Sequence, residues 1–149
     1  MLVGPPATGK TYFATLYPMS YKIVSSDDFI EDYARRQGMT YDEVWPEYHK
    51  MANNHFFNSL NESLANGENI IVDRTNLTRA SRKRILSLVP DNYDARAVVF
   101  GLDIPVKVWV ERVTGREGKI IPFDTLVRMW KTFEQPSYDE GFIEISKPI

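Results

Sequence analysis

The sequence predicts an α/β fold, a parallel sheet of about five strands flanked by helices. Two observations carry this. Short runs rich in Ile and Val alternate with helix-period segments along all 149 residues. The apolar pair Leu2-Val3 also runs directly into a loop bounded by Gly4 and Gly9, with a helical segment behind it. Strands alternating with helices imply parallel pairing through right-handed crossovers. Apolar runs without strict alternation suit strands buried on both faces.

The expected strands are Leu2-Val3 and residues 21–25, 69–73, 97–102 and 142–145. Only three residues precede Gly4, so the first strand is either stubby or the end of a longer one. Helices are expected over 10–16, 27–37, 78–88, 105–114 and 122–133. A longer one opens at Thr40, where Thr40-Tyr41-Asp42-Glu43 has capping-box spacing, and closes at Asn66-Gly67, a C-cap signal. Pro46 predicts a kink or a fresh start within it. Pro105 and Pro122 suit first helical turns. One domain, 1–149, accommodates the set.

Composition narrows the function. The chain has a net charge of −2, 43% hydrophobic residues, 26% charged residues and no cysteine. Disulfides, thiolate zinc sites and a cysteine nucleophile are excluded. No run is long enough to span a membrane, and no secretory signal pattern opens the chain. A cytoplasmic location is expected, or a host compartment for a phage protein. A chain coating nucleic acid non-specifically would be basic overall, so any such contact here is local. No feature of the pattern sets an oligomeric state.

The loop Gly4-Pro5-Pro6-Ala7-Thr8-Gly9-Lys10-Thr11 satisfies G-x-x-x-x-G-K-[ST] in full. Its glycines let successive N–H groups turn inward around phosphates. Lys10 is placed to reach the β and γ phosphates, Thr11 to bind Mg²⁺, and the helix behind points its positive end at the anion. The loop therefore predicts ATP binding. Ligands of such sheets bind beyond the carboxyl ends of the strands, where Asp27, Asp28 and Asp73 fall. Asp27 is either a helix cap or a carboxylate for a reacting hydroxyl. Asp73, before Arg74-Thr75-Asn76, is either an Asx turn or an acidic site group that holds Mg²⁺ or its waters.

Several blocks in order resemble the kinase domain of polynucleotide 5′-hydroxyl kinases, of the bacteriophage type and of the animal bifunctional repair enzyme. They are the phosphate loop; Ser25-Ser26-Asp27-Asp28; Ile71-Val72-Asp73-Arg74-Thr75-Asn76-Leu77-Thr78 with Ala80-Ser81-Arg82; Glu111-Arg112-Val113-Thr114-Gly115-Arg116; Ile121-Pro122; and the tail from Phe133 to Phe142. The resemblance implies a P-loop kinase fold with a helical lid. It also implies transfer of the γ-phosphoryl of ATP, with Mg²⁺, to the 5′-OH of DNA or RNA at a single-stranded or nicked end. Asp27 becomes the general base, with Asp73 a second acidic group on the substrate side. Lys10 and Thr11 hold phosphates and metal, Arg116 is the lid arginine, and Arg112 faces the nucleotide.

The family's phage type has an arginine three residues after the catalytic aspartate that contacts the acceptor phosphate, and another just before that aspartate. Here those places hold Ile30 and Ser26. A small-molecule acceptor (nucleoside, sugar or antibiotic) therefore stays open. So do a non-catalytic nucleotide-binding module and one half of a bifunctional enzyme. Arg79, Arg82 and Lys83 share a helix face, to grip a nucleic-acid backbone or to be solvated. Tyr41, Trp45, Tyr48 and Phe56 either stack a base or fill the core. Gly115 and Gly118 suit a mobile lid. His49 and His55 have no metal partner at helical spacing.

Overall fold

The computed structural model describes residues 1–17, 19–101 and 103–149. Its elements are β1 (Leu2–Val3), α1 (Lys10–Thr15), β2 (Lys22–Ser25), α2 (Asp27–Gln37), α3 (Tyr41–Ala65) and β3 (Ile70–Asp73). They continue with α4 (Arg79–Leu86), β4 (Arg96–Val99), α5 (Val106–Thr114), α6 (Phe123–Lys131), a 3-10 turn (Tyr138–Glu140) and β5 (Glu144–Ser146). No helix among them is long and apolar enough to cross a membrane.

The strand pairings are parallel, as expected. The sheet itself differs. It forms a three-stranded ladder, β1-β4-β5, and a two-stranded one, β2-β3, instead of one ladder of about five. The cause lies in the two-residue β1. Gly4 leaves that strand at φ 154, where an added Cβ would sit 2.6 Å from the Phe100 carbonyl oxygen. Two bonds replace a ladder there. The Gly4 N–H donates to Thr75 O at 2.9 Å, and Asn76 Nδ2 donates to Leu2 O at 2.7 Å. They set β3 alongside β1, so the ladders meet at the phosphate loop. β4 ends at Val99, and Leu102, the expected end of that strand, lies outside the described residues.

Alternate strand residues face opposite helix layers. Val24 and Val72 pack with Phe56, Leu60 and Leu64 of α3 and Ile85 of α4. Leu2 and Ile71 pack with Ala14 of α1 and with Phe100. Each such burial contributes about 1.5–3 kcal/mol. A separate cluster of Trp109, Val113 and Leu126 joins α5 to α6.

Helix α3 runs unbroken for 25 residues through Pro46. No new helix starts at Pro46; the proline falls in the second turn of α3 and forfeits one bond, to the Asp42 carbonyl. The expected capping box secures the start: Thr40 Oγ1 accepts the Glu43 N–H at 3.3 Å and the Glu43 carboxylate accepts the Thr40 N–H at 2.7 Å.

Neither expectation for the α4 face fits Arg82, which is 0% exposed. It donates to both Glu140 carboxylate oxygens, at 2.8 and 2.9 Å, and to the carbonyls of Asn76 and Glu134. Arg79 pairs with Asp139. Two of the three basic residues therefore fasten the C-terminal segment to α4. Burial opposes ionisation of Glu140, but hydrogen bonds from Arg82 and the Ser137 N–H outweigh it and hold the carboxyl below its usual range.

Candidate active site

The phosphate loop lies between β1 and α1, closed by its own short-range bonds. Thr8 Oγ1 donates to Pro5 O at 2.9 Å, and Lys10 Nζ donates to the same oxygen at 2.6 Å. Ala7 adopts φ 59 and Gly9 φ 97, the turned conformations a phosphate cradle requires. Trp109 Nε1 donates to Pro6 O at 2.8 Å, tying α5 to the loop. Lys10 is 7% exposed. Burial pushes its ammonium down to about 8, although Asp73 and Asp27 pull the other way. A buried cation bonded, among the described residues, only to a carbonyl fits a polyphosphate partner.

Asp73, at the end of β3, accepts a bond from Thr11 Oγ1 at 2.9 Å. Burial raises its carboxyl above the usual range, against the opposing pull of Thr11 and Lys10. The pair supplies one hydroxyl and one carboxylate oxygen. Among the described residues no cluster of three or more His, Asp or Glu is placed to enclose a metal. A magnesium ion bound by one or two protein groups and completed by phosphates and water fits that donor set.

Asp27 is the first residue of α2 and does not act as its cap. Its N–H donates to Ser25 Oγ at 3.1 Å, while the carboxylate faces the lid. Tyr41 Oη donates to Asp27 Oδ1 at 2.8 Å and Lys119 Nζ to Oδ2 at 2.9 Å. Lys119 also bonds Glu31 at 2.8 Å and lies 4.3 Å over the Tyr41 ring. Burial works to raise the Asp27 carboxyl, but the charge and bond of Lys119, with Tyr41 and Arg116, win and lower it. Asp28 moves the other way, raised by burial and by the carboxylates of Glu31, Asp73 and Asp27.

The segment 115–121 is docked on the start of α3. The Asp42 N–H donates to Gly118 O at 3.0 Å, and the Ile120 N–H donates to Asp42 Oδ2 at 2.8 Å. Gly118 turns at φ 70 with room for a Cβ only 3.1 Å from Thr40. Arg116, half-buried on this segment, is close enough to act on the charges of both Lys10 and Asp27. Arg112 is exposed on the last turn of α5, and no bond among the described residues directs it to the loop.

An open cleft of about 550 Å³ adjoins Asp27, with Tyr41, Trp45, His49, Lys50 and Arg74 in its walls. The aromatic residues of α3 divide. Phe56 is core. Tyr48 stacks on Tyr33. Trp45 is exposed and stacks on His49 at 4.6 Å. Tyr41 serves Asp27. Lys119, Tyr41 as a carboxylate partner and Arg74 were not singled out from the sequence. Only the position of Lys119 in the glycine-flanked lid marked its region, since its partner lies 92 residues away.

The chain is 25% identical over 138 residues to an L-seryl-tRNA(Sec) kinase of Methanococcus maripaludis, covering 91% of this chain and 52% of that protein. It is 31% identical over 90 residues to the transcription factor bHLH140 of Arabidopsis thaliana, 56% of this chain and 10% of that one. It thus spans about half the length of the first relative and a tenth of the second. The crystal structure of a gluconokinase from Sinorhizobium meliloti 1021 matches with a TM-score of 0.55 at 20% identity, over 98% of this chain and 78% of that one, a likeness of fold. With its phosphate loop, parallel strands and match over residues 1–136, the chain belongs to the AAA_33 family of AAA domains.

Proposed function

We propose that the chain is a kinase that moves the γ-phosphoryl group of ATP to a hydroxyl on a small or tRNA-borne acceptor, with Mg²⁺. The single observation that carries this is the adjacency of two groups at the ends of β2 and β3. Buried Lys10 and the Thr11–Asp73 pair form a polyphosphate and metal side, and Asp27 follows two residues after Ser25, the β2 residue paired with Asp73. Thr11 and Asp73 would hold the ion, which supplies charge neutralisation on the phosphates. Asp73 thereby moves from the acceptor side to the metal side.

The acceptor oxygen attacks the γ-phosphorus, the bond from that phosphorus to the β–γ bridging oxygen breaks, and ADP leaves with the electron pair. The hydroxyl proton passes to Asp27 and then to water. A carboxyl held low by Lys119 and Tyr41 is a weak base. Its main work is therefore to orient the hydroxyl, with proton transfer late, in keeping with a loose transition state. Arg116 neutralises charge on the transferring group.

The relative named as a seryl-tRNA kinase supports hydroxyl phosphorylation. Ser26 and Ile30, where the phage-type kinases have arginines, favour an acceptor other than a polynucleotide 5′ end. The 5′-OH reading keeps one supporting observation, the cleft that combines cations with the Trp45–His49 stack, a combination suited to single strands. Labelled ATP with a panel of sugars, sugar acids, nucleosides, seryl-tRNA and 5′-OH oligonucleotides tests the proposal. Transfer to a small or tRNA-borne hydroxyl that Arg116→Ala slows is expected. Transfer to oligonucleotides alone would replace the acceptor, and binding of ATP without any transfer would sink the kinase reading.

A further inference from the structure

The cleft next to Asp27 carries more cation than an uncharged acceptor needs. Its walls include Arg74, Arg84 and Lys50 against a single carboxylate, that of Asp27, which Lys119 already holds from the lid side. Arg74 is the most telling of these. It follows Asp73 at the end of β3, is half-buried, and lies 4.5 Å over the Phe56 ring. The one hydrogen bond of its side chain among the described residues is from Nη2 to Asn53 Oδ1 at 3.2 Å, with no ion pair to a carboxylate there. Asn53 and the Phe56 face hold the guanidinium from α3, which leaves further N–H donors without a protein partner among the described residues in a side chain that lines the cleft. Arg84 is braced in the same way over Phe57, at 4.4 Å. Burial lowers the proton affinity of Arg74; the Asp27 carboxylate raises it, and Arg84 lowers it by less.

Arg84 is exposed, whereas Arg74 is half-buried, and the one carboxylate among the described residues lining the cleft, Asp27, is already engaged by Tyr41 and Lys119, which favours an anion beside Arg74. Arginine is also the side chain whose fork matches phosphate oxygens. Ile30, on the next helix, presents only an apolar wall to the same cleft. The oxyanion contact is therefore supplied from the strand end and not from α2.

We propose that Arg74, held by Asn53 and Phe56 and supported by Arg84, is the specificity-determining residue of an acceptor subsite for a phosphate ester, so that the substrate is a hydroxyl compound already bearing a phosphate. The identity of the reacting hydroxyl rests on the kinase reading above, whereas the anion site is measurable by binding alone. The phosphate has two sources, a small phosphorylated metabolite or a phosphodiester of a nucleic acid.

The test uses matched acceptors with and without the phosphate: a sugar and its phosphate, a nucleoside and its 3′-phosphate, and a short oligonucleotide with a free 5′-OH. Binding is measured by calorimetry with ADP present to fill the phosphate loop, and turnover is measured with labelled ATP. The expected result is tighter binding and higher kcat/KM for the phosphate-bearing partner, by roughly ten- to a hundredfold, what charge-assisted bonds contribute. Arg74→Gln should erase that ratio chiefly through KM, and Arg74→Lys should restore part of it as a point charge. The sugar and nucleotide arms against the oligonucleotide arm identify the source. Equal use of charged and uncharged partners, or a ratio that survives Arg74→Gln, overturns the subsite and leaves the kinase reading standing. Phosphate-dependent binding without any turnover upholds the subsite and removes the kinase reading.

Discussion

The proposed donor half and the proposed acceptor half of the site are built on opposite plans. The donor half is almost one octapeptide, Gly4 to Thr11, whose internal bonds link residues three and five apart, with Asp73, Thr75 and Trp109 as distant partners. The acceptor half draws Asp27 from α2, Tyr41 from α3, Arg74 from the end of β3 and Lys119 from a segment 92 residues beyond Asp27. The lesson is one of chemistry and chain entropy together. A triphosphate presents the same oxygens to every protein, so a short loop of backbone donors is a sufficient reader. An acceptor differs from enzyme to enzyme, and its reader is assembled from side chains that the fold alone brings near.

If the halves are separable, Asp27→Asn gives the largest effect, slowing transfer by about 10²–10⁴ with ATP affinity kept. Single-turnover rates beside nucleotide titration check this, and a parallel loss of ATP affinity would break the division. The same substitution tests the pH sign. Because the folded carboxyl is lowered, its stabilising contribution is full above the ordinary carboxylate range and is lost as pH falls through the depressed value. The variant should lose that acid dependence in denaturant titrations.

Lys10→Met comes next, with kcat/KM for ATP lower by about 10²–10³ and an opposite effect on the ligand-free fold. Burial lowers this ammonium from 10.5 to about 8. Between those values the unfolded chain holds a proton that the folded chain lacks, so stability rises with pH across that window and the cost is complete below it. The methionine variant should be the more stable protein at pH 7 and should lack that rise.

Lys119→Met sharpens the acceptor half. Transfer should fall roughly tenfold, the equivalent of one charge-assisted bond, and the acid limb of kcat/KM should move to higher pH as the Asp27 carboxyl loses its main lowering influence. An unmoved limb would mean that Lys119 merely props the lid. The smallest effect is expected from Trp45→Ala, which removes an exposed ring. Stability should stay within about 0.5 kcal/mol, with a few-fold rise in acceptor KM measured by initial rates.

Legibility follows the same division. The span of α2 and the capping box of α3 were readable because caps and periodicity are contacts within a few residues. The unbroken course through Pro46 was not, since whether one lost bond breaks a helix depends on what packs along it. Arg82 is the clearest miss. On a helical wheel it shares the face of Arg79 and Lys83, yet it is the buried anchor of the C-terminal segment, because Glu140 and the Glu134 carbonyl arrive from more than fifty residues away.

By itself the sequence determined the phosphate loop, the alternation of strands and helices, the parallel pairing and the placing of Asp27 and Asp73 at strand ends. Each is set by local spacing or by apolar period. Only the tertiary structure decided that the strands form two ladders joined at Gly4 and Asn76, that Asp73 holds Thr11, that Lys119 and Tyr41 hold Asp27, and that Arg74 lines the cleft beside Asp27 without a carboxylate at ion-pair distance among the described residues. Those contacts join residues far apart in the chain. They leave no mark in spacing, because their energy depends on burial and geometry that exist only once the layers have packed.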